Sequence, residues 1–149
     1  ILLFSLPGTP VIYYGDEIGL QGGKDPDCRR AFPWQEEDWD VELRKYVRRL
    51  IDLRKRNPVL RRGSYQTLYV GEEDGVMAFG RRLGEERILV ILNASSSGRY
   101  LQLDVGKLGW QDGRILQDML NANEYRVSDQ GIEIDIQPWS GYWIGNGGI

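Results

Sequence analysis

After Gly63 the hydrophobic pattern changes to a period of two, and that change constrains the fold more than any other feature of the chain. "YLQLDV" at 100–105 alternates Leu101, Leu103 and Val105 with Gln102 and Asp104. "IEIDIQ" at 132–137 alternates Ile132, Ile134 and Ile136 with Glu133 and Asp135. Successive strand side chains point to opposite faces, so each segment predicts a half-buried antiparallel strand. "RILVILN" at 87–93 is apolar at consecutive positions and predicts a central strand. Further strands are expected at 65–70, 76–81, 114–119 and 142–145, separated by the turn signals "EEDG", "GEE", "ASSSG" and "SDQG". Short strands at this spacing predict a β-sandwich or a barrel.

Upstream of Gly63 the period is helical. Leu43, Tyr46, Val47, Leu50 and Ile51 fall on one face. Asp40 is placed to cap the first turn, and Glu42 follows where the helix dipole favours an acid. Arg54, Lys55 and Arg56 occupy the last turn, where the dipole favours bases, and Asn57-Pro58 stops the helix. Lys55 and Arg56 are read as a solvated face. Before the helix, "PVIYYGDE" at 10–17 predicts a strand buried on both faces, and "ILLFSL" predicts the end of a helix closed by "PGTP". A strand, a loop and a helix cannot form a parallel sheet alone, so this unit is expected to be the last piece of a larger α/β architecture. Apolar surface is expected on residues 1–20 and on the helix stripe, with a tendency to self-association.

Composition narrows the chemistry. The 149 residues carry 19 basic and 22 acidic side chains, a net charge of −3 that offers no basic stripe for a nucleic acid. No apolar run approaches the roughly 20 residues of a membrane span, and the opening apolar stretch is broken by Pro7, Gly8 and Pro10. There is no histidine and one cysteine, Cys28. A disulfide framework, a zinc site and a Cys–His nucleophile are therefore disfavoured, no metal or cofactor is assigned, and acid–base chemistry would fall to carboxylates.

Three motifs stand in order: "LPGTPVIYYGDEIGL", "DPDCRRAFPW" and "LIDLRKRNPVLRRG". Together they resemble the C-terminal end of α-amylase-family glycoside hydrolases, in the neopullulanase, cyclomaltodextrinase and maltogenic amylase branch. The resemblance implies an α+β fold. Residues 1–62 would be the last strand, substrate loop and helix of a (β/α)8 TIM barrel, and residues 63–149 an antiparallel sandwich, domain C. In such barrels the loops after the strands build the active site. By the resemblance, Asp25 and Arg29 contact glucose units on the non-reducing side of the cleavage point. A carboxylate accepts from sugar hydroxyls and a guanidinium donates in a fixed fork. An Asp–Arg pair that only closes its loop is the other reading. Asp16, Glu17 and Tyr14 are expected to support the loop rather than react. Tyr13, Tyr14, Trp34, Trp110, Trp139 and Trp143 are read as packing, and Cys28 as structural.

In this family an aspartate nucleophile, a glutamate acid and a second aspartate follow the fourth, fifth and seventh barrel strands, so no catalytic residue is expected here. The resemblance implies the C-terminal fragment of a retaining α-glucan hydrolase. Its expected bonds are α-1,4, with α-1,6 as a second class, and its expected partners are oligosaccharide or cyclodextrin and the rest of the barrel. The fragment alone would be inactive. The branch also implies a cytoplasmic location. The rival is a non-catalytic carbohydrate-binding sandwich, whose signature would be an aligned platform drawn from Tyr100, Trp110 and Trp143.

Overall fold

The computed structural model describes residues 1–146. Eight strands follow a largely irregular N-terminal segment and two consecutive helices. The strands are β1 (Ser64–Gly71), β2 (Val76–Leu83), β3 (Glu86–Asn93), β4 (Arg99–Asp104), β5 (Ile115–Asp118), β6 (Glu124–Arg126), β7 (Gly131–Ile136) and β8 (Ser140–Gly145). Six form one antiparallel sheet in the order β1-β2-β3-β8-β5-β6, and β4 pairs with β7 in a second sheet. Every strand expected from the alternation is present. β6 is an addition to the expected strands: its three residues are too few to show a period, and Tyr125 pairs with Leu116 of β5.

The two sheets enclose the first core. Ala78, Leu89 and Ile91 face Leu101, Leu103, Ile132 and Ile134 across it. The register explains the unbroken apolar run of β3. Leu89 and Ile91 point into the sandwich, while Ile88 and Val90 point to the opposite face of the large sheet. There they meet a layer of helices: α1 (Leu2–Ser5), α2 (Val41–Arg56) and α3 (Pro58–Arg62). Phe4, Leu50, Leu53, Val59 and Leu60 join Phe79, Ile88, Val90 and Trp143 in a second core. The central strands are thus covered on both sides.

Helix α2 begins and ends where its sequence dictates. The Asp40 carboxylate accepts the Leu43 N–H at 2.8 Å, and Asn57 follows the last turn in an extended conformation. Pro58 then opens α3, where its missing N–H is not needed. Contrary to expectation, the apolar stripe of α2 is not a bare surface, because the large sheet covers Leu50 and Leu53.

The strand expected over residues 10–17 is not formed. Val11–Tyr14 have no ladder partner among the described residues, and Tyr13 opens a turn by accepting the Asp16 N–H at 3.1 Å. A two-sided buried strand requires flanking strands, and here Val11, Tyr13 and Tyr14 are exposed. The packing readings are met by Trp110 and Trp143, which are buried, and not by Trp34 and Trp139, which are 80% and 72% exposed.

Two arginines lie inside the second core without a carboxylate. Arg81 shares the helix-facing side of β2 with Phe79 and is fully buried. Its guanidinium donates to the Ser64, Leu60 and Gly63 carbonyls at 2.9 Å and also to the Ser5 carbonyl. Arg54 donates to the carbonyls of Phe4 and Leu60 at 2.7 Å, of Leu6 at 3.2 Å and of Gly8 at 2.6 Å. The dipole argument for basic residues in the last turn gave no hint of this burial. Arg81 had a sequence signal, a charge in phase with Met77 and Phe79 on an otherwise apolar strand face.

Arg81→Met keeps much of the volume but orphans several buried carbonyls. It is expected to cost about 3–5 kcal/mol in urea unfolding. A loss under about 1 kcal/mol would show that water or backbone adjustment satisfies those carbonyls instead.

Candidate functional site

The loop before α2 is built from short-range turns. Gly15 takes φ +92°, and a Cβ there would lie 2.6 Å from Leu20 Cδ2, so only glycine fits the turn. The Leu20 N–H donates to the Gly15 carbonyl at 2.9 Å, and the Gly15 N–H donates to Glu17 Oε2 at 2.9 Å. Ile18 is buried, and its carbonyl accepts the Asp40 N–H at 3.0 Å. That bond ties the turn to the start of α2. Glu17 thus serves its own turn, and Asp16 is exposed.

The segment from Gly22 to Arg30 carries two interleaved ion pairs. Arg29 Nη2 meets Asp25 Oδ2 at 2.7 Å. Arg30 grips Asp27 with two bonds, from Nε at 2.5 Å and from Nη2 at 2.7 Å. The Gly23 N–H adds a third donor to Asp27 at 2.7 Å. A Cβ on Gly23 would sit 2.7 Å from that same oxygen, so the close approach requires glycine. Backbone bonds from Asp27 to Lys24 at 2.8 Å and from Arg29 to Pro26 at 2.9 Å close the turn. The Asp25–Pro26 peptide is cis. From below, the Tyr14 hydroxyl donates to the Arg30 carbonyl at 2.9 Å.

The two pairs differ in what they leave open. Asp27 uses both oxygens on Arg30 and Gly23. Asp25 uses one oxygen, and Arg29 one terminal nitrogen, with side chains 61% and 68% exposed. The pair therefore presents an acceptor and several N–H donors side by side, which suits vicinal hydroxyls. Asp27–Arg30 instead braces the loop, although both residues lie in the same "DPDCRRAFPW" motif as Asp25 and Arg29.

Aromatic rings continue the loop towards the helix. Phe32 lies edge-on to Trp34 at 5.0 Å and to Trp39 at 5.9 Å. Trp39 donates to the Pro33 carbonyl at 2.7 Å and carries the Arg44 guanidinium 4.5 Å from its ring centre. Cys28 is exposed. The platform expected of a carbohydrate-binding sandwich is not assembled. Trp110 belongs to the sandwich core and Trp143 to the helix-facing core, leaving Tyr100 exposed by itself among the three.

Hydrogen bonding from Arg30, then from the Gly23 N–H, lowers the Asp27 carboxyl below its ordinary 3.8. The same bond raises the Arg30 guanidinium. A depressed folded value contributes stability above the unfolded value, and that contribution is lost as pH falls through the folded one. The loop brace is therefore expected to be fully present at neutral pH and to weaken only below about pH 4. A carboxyl-carbon NMR titration should give Asp27 a midpoint under 3.8, moving up in Arg30→Gln. An identical midpoint in the two proteins would remove Arg30 as the cause.

Known proteins resemble this chain over nearly its whole length. The family profile of the maltogenic amylase C-terminal domain matches residues 65–143. An amylopullulanase of Thermoanaerobacterium thermosulfurigenes is 36% identical over 154 aligned positions, covering 97% of this chain and 8% of that protein. Neopullulanase 2 of Thermoactinomyces vulgaris is 33% identical, covering 94% of this chain and 23% of its own length. The chain thus spans less than a quarter of each. The crystal structure of an α-amylase from Geobacillus thermoleovorans, complexed with acarbose, superposes with a TM-score of 0.84 at 29% identity. That likeness covers 96% of this chain and 31% of the other, so it takes in the loop and helices as well as the sandwich. On the profile match and the sandwich it spans, the chain belongs to the maltogenic amylase C-terminal domain family, within the α-amylase group of glycoside hydrolases.

Proposed function

We propose that the chain is the C-terminal part of a retaining α-glucan hydrolase that cleaves α-1,4 bonds and, as a second class, α-1,6 bonds. In this reading residues 1–62 close a TIM barrel and residues 63–149 are domain C. The observation that carries it is the exposed, half-used Asp25–Arg29 pair on a loop fastened to α2. The whole-chain likeness to an acarbose-bound α-amylase supports it. Asp25 and Arg29 hold glucose hydroxyls on the non-reducing side of the cleavage point, while Tyr14, Glu17 and the Asp27–Arg30 brace hold the loop. The carboxylates that break the bond belong to other strands of the barrel.

The same reading accounts for the exposed apolar side chains at Val11, Tyr13 and Trp34. The rest of the barrel would cover them, and the isolated chain would self-associate through them. A cytoplasmic enzyme acting on maltooligosaccharides or cyclodextrin is the setting that fits the branch. Cell fractionation that found the enzyme outside the cytoplasm would displace it.

The purified 149-residue chain is expected to release no reducing sugar from maltooligosaccharides or cyclodextrin. Turnover by a sample of confirmed intact mass would sink the fragment reading. In the full-length enzyme, Arg29→Ala and Asp25→Ala are each expected to weaken substrate binding by about tenfold, as loss of a charge-assisted hydrogen bond does. Unchanged KM and kcat in both variants would reduce the pair to a loop closure.

A further inference from the structure

The basic residues of this acidic chain are unevenly spread. Residues 41–62 hold nine of the 19 basic side chains and two of the 22 acidic ones. Ten basic and twenty acidic residues remain elsewhere. Of the nine, Arg54 is the buried one.

Lys45, Arg48, Arg49 and Arg56 fall on a single stripe of α2, at helical offsets of three, four and eleven. The stripe walls a hollow of about 440 Å3 with Leu53 and Met119 among its lining. Asp52 is the hollow's one carboxylate. Arg49 is fixed against the turn after β5, its Nη2 donating to the Met119 carbonyl at 2.8 Å. Lys45 meets Glu42 at 2.7 Å, but Arg48 and Arg56 make no ion pair among the described residues.

The helix dipole accounts for Arg56 in the last turn and not for Lys45, Arg48 and Arg49 in mid-helix, because its effect fades within one turn. Like charges three and four residues apart oppose the helix. On α2 itself Asp52 and Glu42 offset part of that repulsion, and Arg56 also lines a neighbouring hollow that holds Glu86, Asp118 and Glu124. A bound anion would offset the charge of Lys45, Arg48 and Arg49. Guanidinium groups suit phosphate oxygens, which they can grip in pairs. Asp52 would repel a bare anion but accepts a hydroxyl, and the apolar lining suits the C–H face of a sugar ring.

We propose that this hollow is a phosphate site, taking phosphate carried on a sugar or free. Arg48 and Arg56 supply the forks, Arg49 and Lys45 the surrounding field, and Asp52 a hydroxyl acceptor. The proposal stands apart from the Asp25–Arg29 reading and does not need it.

The test is an amide NMR titration of the 149-residue chain with glucose 1-phosphate, inorganic phosphate and glucose, at constant ionic strength. Saturable shifts confined to α2 and the Met119 turn are expected for the two phosphates and not for glucose. Tighter binding of the ester, with the advantage lost in Asp52→Asn, would identify a sugar phosphate as the ligand. Equal affinity would identify free phosphate, and both results support the site. Arg48→Ala/Arg56→Ala should weaken binding about tenfold or more, and Arg48→Lys/Arg56→Lys less, because lysine keeps charge without the fork. Arg29→Ala should change nothing. Non-saturating shifts, or equal affinity in the double alanine variant with its melting temperature unchanged, would overturn the proposal.

Discussion

Two guanidinium groups sharing one carbonyl hold this structure in register. Arg54 and Arg81 both donate to the Leu60 carbonyl, one from α2 and the other from β2. Their remaining bonds collect the carbonyls of Phe4, Ser5, Leu6 and Gly8 and of Gly63 and Ser64. Those carbonyls belong to a one-turn helix, a tight turn and a strand entry, none of which offers them a ladder. Desolvation lowers the affinity of both guanidiniums for their protons, with repulsion from Arg61 adding to it at Arg54 and repulsion from Arg54 adding to it at Arg81. Buried cations without a carboxylate are costly, and here the offset is a set of converging carbonyl dipoles. The result is a joint in which three segments distant in sequence cannot move independently. Trp143 adds to it by donating from its indole to the Ser5 hydroxyl at 2.7 Å.

What the sequence revealed follows from the range of the forces involved. Alternation in "YLQLDV" and "IEIDIQ" reports which face is wet, and both segments pair as β4 and β7 in the expected phase. The Asp40 cap and the Asn57-Pro58 stop act within a turn of the residues that specify them. The strand expected over 10–17 failed for the opposite reason. β-branched and aromatic composition records a preference for a sheet, but a strand exists only where a neighbour supplies hydrogen bonds. Likewise, a pattern can show that α2 has an apolar face without showing what covers it. Here the cover is the back of the six-stranded sheet, through contacts between residues as distant as Phe4 and Trp143.

The candidate site was legible as a pair and not as a circuit. Asp25 and Arg29 are four apart in a turn, so their meeting is local. The finer point is the second pair, which the first depends on. Asp27 and Arg30 satisfy each other and anchor Gly23, whereas Asp25 and Arg29 satisfy each other only in part. Without a saturated neighbour, an exposed ion pair would exchange among alternatives, since such pairs are individually weak. Dividing the work lets one pair set the loop while the other stays free to meet a partner.

Helix α2 transmits that arrangement to the rest of the molecule. Its sixteen residues make a rod of roughly 24 Å. At its start Asp40 bonds the Ile18 carbonyl and so fixes the turn from which the loop departs. At its end Arg54 enters the carbonyl joint that fixes the sandwich. A shift at either end therefore moves the loop relative to the sheet as a lever does, whereas a change in the middle of the exposed face does not. The basic row from Lys45 to Arg56 lies on the exposed face of the helix, on side chains other than those of the Asp40 bond and the buried Arg54 joint. The face that could take an anion and the loop that could take a sugar share a helix, but they draw on different parts of it.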